Sequence, residues 1–541
     1  MMSDVLTRTR ARIAFLRDVA DRKSVERHYR RNPPPITHGA KQVFVVEGLW
    51  DNPNHWLRLW VFLHAYLRDR KADVIGILKS RDNWDNWRKR KSLEALGIRR
   101  FVYLDDMKAS EADYAAKADT LFRNVSSAQD VFDLPLPDEL PGYVYFDTVL
   151  KEARHPQPKL DGNPVWRKLL ADVLHLSDFY RDLFQQNEIV GVVSSHAWKS
   201  EWGALCWTAL RRGVPFYYMT AHYDSIRVRR MASPQDYSAP NEHLAYADFC
   251  ALPEAMQRRL IDRGRSYLSD RFAGNSDFIV LRYAIDPAQR GKDRSTVISG
   301  LGLDPKKPLV AIYTHSWFDF PHTQAMTNFT EPLDWVNFTF DTIKSLTDVN
   351  WVFKPHPCDQ WYGTIRLRDI LKDLPPHIAV APENSDSLAI QTIADAVTTI
   401  QGSISIEAAA MGKPVLCADR SMYTDWGFTH AATSREDYAA KLRGILDLAA
   451  PTPAQSEHAM AFAATALAPP PQDARWLKLT CDTRHLDGSL YSSVNTLLDS
   501  QGESLEREIV KLSEWLENKH SSYNVWRIVD HCAAAPGTTQ Y

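Results

Sequence analysis

The sequence predicts an α/β protein made of two parallel-sheet units that face a cleft, with helical extensions at both ends. Short apolar, β-prone runs alternate with helix-length segments along residues 41–225 and again along 305–450. That alternation argues for parallel sheets, because each parallel strand needs a crossover before the next can pair. The chain has 541 residues, enough for two or three domains with complete cores. No fixed-period repeat is present, so a solenoid is not expected.

Residues 4–31 form one helix, with Leu6, Ile13, Leu16 and Ala20 near heptad spacing and Phe15 and Val19 beside them. Residues 1–31 hold nine basic and four acidic side chains. A basic amphipathic helix can lie on an anionic membrane surface, and the alternative is a helix packed on its own protein or a sister chain. Asn32-Pro33-Pro34-Pro35 ends it, so residues 1–40 make a helix and a Pro linker.

The first unit, 41–225, opens with the strand Gln42–Val46, the loop Glu47–His55 and the helix Trp56–Arg68. Val74–Leu78 and Phe101–Leu104 continue the alternation, Tyr143–Phe146 adds a strand, and Trp166–Gln185 is a helix. Ile189–Ser194 and Val214–Met219 are strands separated by the helix Trp202–Arg212. The pattern is Rossmann-like, yet no Gly-x-Gly-x-x-Gly is present, which argues against an NAD or FAD site. Residues 226–304 are expected to form a helical connector, basic at its start.

The second unit, 305–450, opens with the strand Pro308–Tyr313 and the loop His315–His322, followed by the helix Asp334–Leu346. The strand Val349–Phe353 is stopped by Lys354-Pro355-His356-Pro357. Ser385–Ile393 is a helix, Ala394–Ile400 a strand, and Gln401-Gly402-Ser403-Ile404-Ser405 leads into the helix Ile406–Met411, with Gly412 as its C-cap before the strand Val415–Ala418. Residues 451–541 form an Ala- and Pro-rich linker, 451–471, and C-terminal helices.

The composition is that of an ordinary globular protein, 44% apolar and 24% charged, and its net charge of −2 gives no field to recruit nucleic acid. The six Cys form no Cys-x-x-Cys pair, which fits reduced thiols. Arg residues interrupt any N-terminal apolar core, and no run approaches the roughly 20 apolar residues of a membrane span. The expected location is the cytoplasm, with peripheral inner-membrane contact through the basic helix, alone or as an oligomer.

In open α/β sheets ligands bind beyond the carboxyl ends of the strands. Lys354 and His356 end one strand and present donors there. At Gln401–Glu407 Gly402 lets the backbone approach a ligand, Ser403 or Ser405 can cap the helix or turn a hydroxyl to an anion, and the helix start favours phosphate. Glu407 lies about one turn on, within reach of a ribose or as a partner of the helix dipole.

His315-Ser316-Trp317-Phe318-Asp319, Phe353-Lys354-Pro355-His356-Pro357 and Gln401–Ala408 through Gly412-Lys413-Pro414-Val415, with Tyr423 and Gly427-Phe428-Thr429, resemble bacterial capsule and surface-polysaccharide biosynthesis proteins. These are GT-B glycosyltransferases and include the capsular Kdo transferases. The resemblance covers roughly residues 305–450. It implies a nucleotide-sugar donor, CMP- or UDP-linked, used as substrate with no other cofactor. It also implies His356 and Ser403 on the donor phosphate, with Lys354, Gln401, Gly402 and Ser405 beside it, and Glu407 on the ribose. Asp319 matches the family's Asp and stands as base or sugar partner. His315 and Tyr423 are placed near the sugar.

The absence of any Asp-x-Asp points to metal-independent donor binding, so no metal ligand is assigned. Glu47–Trp56 combines carboxylates, His55 and two Trp, a content that suits an acceptor sugar, with Asp51 or His55 as base and Trp50 as a stacking face; Asp51 or Asn54 could instead cap the next helix. His196 follows a strand end and is a further candidate for substrate contact. No Gly-x-Ser-x-Gly elbow or P-loop is present. The leading expectation is therefore a glycosyltransferase acting on a surface-glycan acceptor, plausible donors including a CMP-linked ulosonic acid such as Kdo. A polyol-phosphate transferase, a nucleotide-sugar epimerase and a non-catalytic scaffold of an assembly complex are the alternatives.

Overall fold

The computed structural model describes residues 2–106, 111–160, 162–220, 225–238, 243–275, 292–324, 326–357, 359, 365–471, 490–518 and 520–534, with side chains in the first helix from Leu16 onward. The chain divides into two compact units, each discontinuous. One comprises Met1–Tyr114, Asp172–Pro234 and Pro469–His531, the other Ala115–Ala171, Gln235–Ala468 and Cys532–Tyr541.

The first unit carries β1 (Gln42–Glu47), β2 (Asp73–Leu78), β3 (Arg100–Tyr103), β4 (Glu188–Ser194), β5 (Phe216–Thr220) and β6 (Arg227–Met231) in the order β3-β2-β1-β4-β5-β6. All pairs are parallel except β5–β6. The basic run at Arg227–Arg230, expected to be helical, is therefore an edge strand, paired antiparallel with β5 and buried except at Arg230. The helix Pro53–Leu67 starts three residues before the expected Trp56 because Asn52, not Asp51 or Asn54, is its cap. Asn52 accepts from the N–H groups of Asn54 and His55, and Pro53 takes the first helical position, where its missing N–H is harmless.

That helix is apolar nearly all round and is sunk in a core with Phe44, Trp56, Phe62, Tyr66, Trp515 and Tyr523. Each such side chain contributes about 1.5–3 kcal/mol relative to exposure. The helix Met2–Arg31 packs its last half on the same core through Val25 and Tyr29, while Leu16 is 58% exposed. The docking stripe is thus Arg22, Val25, Glu26 and Tyr29 rather than the heptad through Leu16 and Ala20. Among the described residues no helix is long and apolar enough to cross a membrane.

The second unit carries β7 (Leu309–Tyr313), β8 (Asn350–Lys354), β9 (Ile378–Val380), β10 (Ala396–Thr399), β11 (Val415–Cys417) and β12 (His430–Ala431) in the order β12-β11-β10-β7-β8-β9, all parallel. Counted within each unit, both sheets have the doubly wound order 3-2-1-4-5-6. In each, the direction of winding reverses between the first and fourth strands: β1 and β4, and β7 and β10.

Tyr143–Phe146, expected as a strand, lies within the helix Gly142–Ala153. That helix belongs to the second unit, where Asp147 accepts from the backbone N–H of His322 and lies 2.6 Å from its Nδ1. The stretch 451–471, expected as a linker, contains the helix Pro453–Ala466. Its alanines are a packing device. A Cβ added to Gly264 on the helix Glu254–Ala273 would lie 1.8 Å from the Met460 carbonyl oxygen, so the two backbones are nearly in contact. Cys206, Cys250, Cys417 and Cys532 are free thiols; Cys358 and Cys481 lie outside the described residues.

Candidate functional site

Pairing of β7 with β10 sets Tyr313 beside Thr399. The loops that leave these two strands, Thr314–Ser316 and Ile400–Ser403, therefore emerge side by side at the point where the sheet reverses. Pairing of β7 with β8 sets Tyr313 beside Lys354 and brings the third loop to the same edge. Three of the expected blocks meet there because the topology places these strand ends together.

Several buried groups at this edge lack a hydrogen-bond partner among the described residues. Ser316 Oγ, Trp317 Nε1 and Gln401 Nε2 are such atoms, on residues 2%, 0% and 5% exposed. A buried donor left unpaired costs about 1–3 kcal/mol, so it points to an acceptor that a ligand or water supplies. Ser403 is exposed and stands at the cap of the helix Ile404–Ala410 without making a side-chain cap bond. A side chain at Gly402 would come within 3.0 Å of Thr399 Oγ1, so the turn keeps glycine for space.

His315 and His356 stack with ring centroids 6.2 Å apart and planes at 25°. Burial first, then His315 and Lys354, push the His356 imidazole down to about 3, against an opposing pull from Asp319. His356 is therefore neutral at pH 7. Asp319 is 57% exposed at its side chain and pairs with Lys151 at 3.4 Å. Crowding pushes its carboxyl up, but Lys151, His315 and His356 outweigh this and hold it below the ordinary value. Lys151 also lies over the Phe320 ring, 5.5 Å from its centroid. Phe320 has φ +54, a left-handed conformation rare for an aromatic residue, and such strain persists only where neighbours over-determine it.

Other expected contacts take different places. Lys354 is 1% exposed, and its ammonium donates to the Pro355 and Glu383 carbonyls at 3.2 Å each. Burial lowers it to about 8. It therefore ties the ends of β8 and β9 together instead of reaching toward phosphate. Ser405 is fully buried with its Oγ 3.5 Å from Cys417 Sγ, so its hydroxyl points into the core. Tyr423, expected at the sugar, is 1% exposed and donates to the Gly402 carbonyl at 2.9 Å, which fixes the turn from beneath. Glu407 is 5% exposed and forms an ion pair with Arg271 at 2.5 Å. Lys413 donates to the Thr392 and Ala394 carbonyls.

In the first unit Asp51 accepts from Trp56 Nε1 at 2.9 Å and pairs with Arg22 at 3.1 Å and Arg88 at 3.8 Å. Both of its carboxylate oxygens are thus already engaged. His55 is 1% exposed, beneath the surface where a substrate proton would be. Trp50 meets the His196 ring edge-on at 5.1 Å.

Sequence reasoning missed Lys151 and Arg271. Each comes from a helix more than a hundred residues away in sequence, and no local signal marks either. Ser316 lies within the His315–Asp319 motif, three positions beyond the buried strand β7, and could have been singled out as a polar residue near that strand end. A surface concavity lined by Leu301, Leu371 and Val380 shares none of the residues above, so the site is defined by strand-end groups.

No family model matches the chain, and no curated protein matches it. Solved structures do. The Thermosulfurimonas dismutans KpsC beta Kdo 2,4 transferase is 14% identical, and the match covers 52% of this chain and 85% of that one with a TM-score of 0.32. The beta Kdo 2,7 transferase of the same protein is 14% identical over 52% and 80%, with a TM-score of 0.29. The UDP-GlcNAc 2-epimerase of Neisseria meningitidis is 11% identical over 79% and 96%, with a TM-score of 0.23. Likenesses this distant carry no argument about this chain.

Proposed function

We propose that the chain is a GT-B glycosyltransferase of the capsule and surface-polysaccharide class. In this reading the second unit holds a CMP- or UDP-linked sugar where β7 and β10 end, without a metal, and the sugar passes to a glycan acceptor. The donor class that best fits the resemblance is a CMP-linked ulosonic acid such as Kdo. One observation carries the reading: the buried donors of Ser316 and Gln401, unpaired among the described residues at adjoining strand ends beside His315 and His356.

A leaving phosphate would accept from Gln401 Nε2, the Ser403 hydroxyl and the backbone at Gly402. Glu407, held by Arg271, would face the ribose. Departure of the nucleotide leaves negative charge on the phosphate, and a donor aimed at that charge lowers the barrier. His356 supplies a further device. It is neutral in the protein alone, and an adjacent phosphate would raise its affinity for a proton. Between the value of the free protein and this raised value, nucleotide binding takes up a proton and weakens as pH rises. Asp319, poised by Lys151, is the sugar's hydrogen-bond partner.

Thermal unfolding with CMP, UDP and their sugar conjugates tests this. At a ligand concentration of 100 Kd a bound nucleotide stabilises by about 2.7 kcal/mol. Gln401→Ala and His356→Ala should each reduce the shift, and calorimetry in buffers of different ionisation enthalpy should show proton uptake in the wild type that His356→Ala lacks. No shift with any nucleotide sinks the reading.

A further inference from the structure

Few large apolar side chains stand on the outside of this protein. Among the described residues those exposed are Leu16, Trp84, Trp87, Leu374, Leu446 and Val510. Isolated exposed side chains of this kind are ordinary. Trp84 and Trp87 are not isolated. Asn83 caps the helix Trp84–Ala95 by accepting from the Asp85 N–H at 2.8 Å, which makes Trp84 its first residue. Residues three apart share a helix face, so Trp84 and Trp87 stand together, with ring centroids 4.6 Å apart and planes at 14°. The opposite face, with Asn86, Lys89 and Leu93, is buried. The pair therefore points outward, and Trp84 is 68% and Trp87 46% exposed.

Leu16 belongs to the same end of the first unit. The Arg22 guanidinium donates to the Arg88 carbonyl and to Ser92 Oγ, the latter at 2.8 Å, and a Cβ added at Gly97 would lie 3.5 Å from that of Pro33. These ties come in the same order along both segments, so the helix Met2–Arg31 runs alongside Trp84–Ala95 in the same direction. At 1.5 Å per residue Leu16 lies about 9 Å before Arg22, and Trp84 about 6–12 Å before Arg88 and Ser92. Three exposed apolar side chains thus gather toward one end of the helix pair. The charge around them is positive. Residues 79–91 hold six basic and two acidic side chains, and residues 1–31 hold nine and four, in a chain whose net charge is −2. Several of these cations are taken up internally: Arg81 pairs with Asp106, Lys89 with Asp85, and Arg90 and Lys91 with Glu94. Arg17 and Lys79 are exposed and pair with no carboxylate among the described residues.

We propose that this patch docks the first unit on an anionic bilayer surface, with the Trp84 and Trp87 rings at the boundary between headgroups and acyl chains and Arg17 and Lys79 against lipid phosphates. Nothing in it depends on the transfer reading. Trp suits that boundary because its ring is apolar and its N–H polar. Each Lys or Arg near an anionic surface strengthens binding about fivefold. Size argues against a protein partner. At about 150–250 Å² for a whole aromatic side chain the pair exposes about 170–285 Å², whereas a stable protein interface takes about 800 Å² from each side. A bilayer needs no matching surface, only apolar side chains with cations around them.

Cosedimentation of the whole chain with lipid vesicles tests it. The wild type should bind vesicles of phosphatidylcholine mixed with phosphatidylglycerol, bind phosphatidylcholine alone far more weakly, and leave the mixed vesicles as salt is raised. Trp84→Ala combined with Trp87→Ala should weaken binding about ten- to a hundredfold, and Arg17→Gln and Lys79→Gln about fivefold each. Both tryptophans are exposed, so thermal unfolding of the double variant should match that of the wild type. Equal binding to both kinds of vesicle, binding to neither, or wild-type binding by the double variant overturns the proposal. Two further outcomes also overturn it. A wild type that ignores vesicles but forms a dimer lost in the double variant, read by sedimentation velocity, would make the occupant a second copy. Retention on an immobilised acidic glycan and on no vesicle would make it a polysaccharide.

Discussion

The two sheets share one strand order and differ at the point where it reverses. In the first unit an internal carboxylate, Glu47, already occupies the anion position and takes up the local N–H groups. In the second, two histidines and unpaired donors stand there, and the nearby carboxylate Glu407 is paired with Arg271. Topology thus supplies a ligand edge twice, and the side chains at the strand ends decide what each edge can hold. An edge filled by its own anion suits a neutral, hydroxyl-bearing ligand. An edge with donors and no anion of its own suits a phosphate.

The largest test of this contrast is Glu47→Ala. It strands buried N–H groups and leaves the Ser195 hydroxyl without its acceptor, so it should lower unfolding free energy by about 3–5 kcal/mol in urea. Gln401→Ala, which removes a donor that already lacks a partner, should cost under about 1 kcal/mol. Equal losses at both positions would erase the difference between the two edges.

Next in size is the pH dependence set by Lys354. Its folded value, about 8, lies below the ordinary 10.5, so the unfolded chain binds more protons between these values and stability rises with pH across that window. The rise is about 3 kcal/mol, and Lys354→Met should abolish it in urea titrations at pH 8, 9 and 10. A wild-type slope retained in Lys354→Met would assign that titration to another group. His356 acts with the same sign at lower pH: neutral in the fold down to about 3, it adds stability that is gained from pH 3 to 6.5 and that His356→Gln should remove. The smallest effect is expected of Lys151→Ala. Its partner is exposed, so stability should change by at most about 1 kcal/mol, while nucleotide-sugar affinity changes through Asp319. A large stability loss there would make Lys151 a structural strut.

The strands of both sheets were legible where apolar runs were long and bounded by turn residues, as in Ile189–Ser194 and Leu309–Tyr313. The short β9 and β12 were not, since three or two residues carry no period. Tyr143–Phe146 misled because Tyr, Val and Phe favour strands locally, while Asp147 and Lys151 one turn apart anchor a helix to the loop after β7. The alanines of 453–466 gave no amphipathic signal because their purpose is close backbone approach to Gly264. At the site, the motif blocks showed which strand ends matter. They could not show direction: Lys354, Ser405 and Tyr423 turn inward, and the partners that decide their roles come from distant segments.

The most direct measurement is a crystal structure of the protein with a CMP- or UDP-linked ligand, with the phosphate located. The account predicts the phosphate where β7 and β10 end, within hydrogen-bond distance of Gln401 Nε2 and the Ser403 hydroxyl, with His356 beside it. A phosphate bound instead where β1 and β4 end, against Glu47 and Ser195, would contradict the assignment of the two edges.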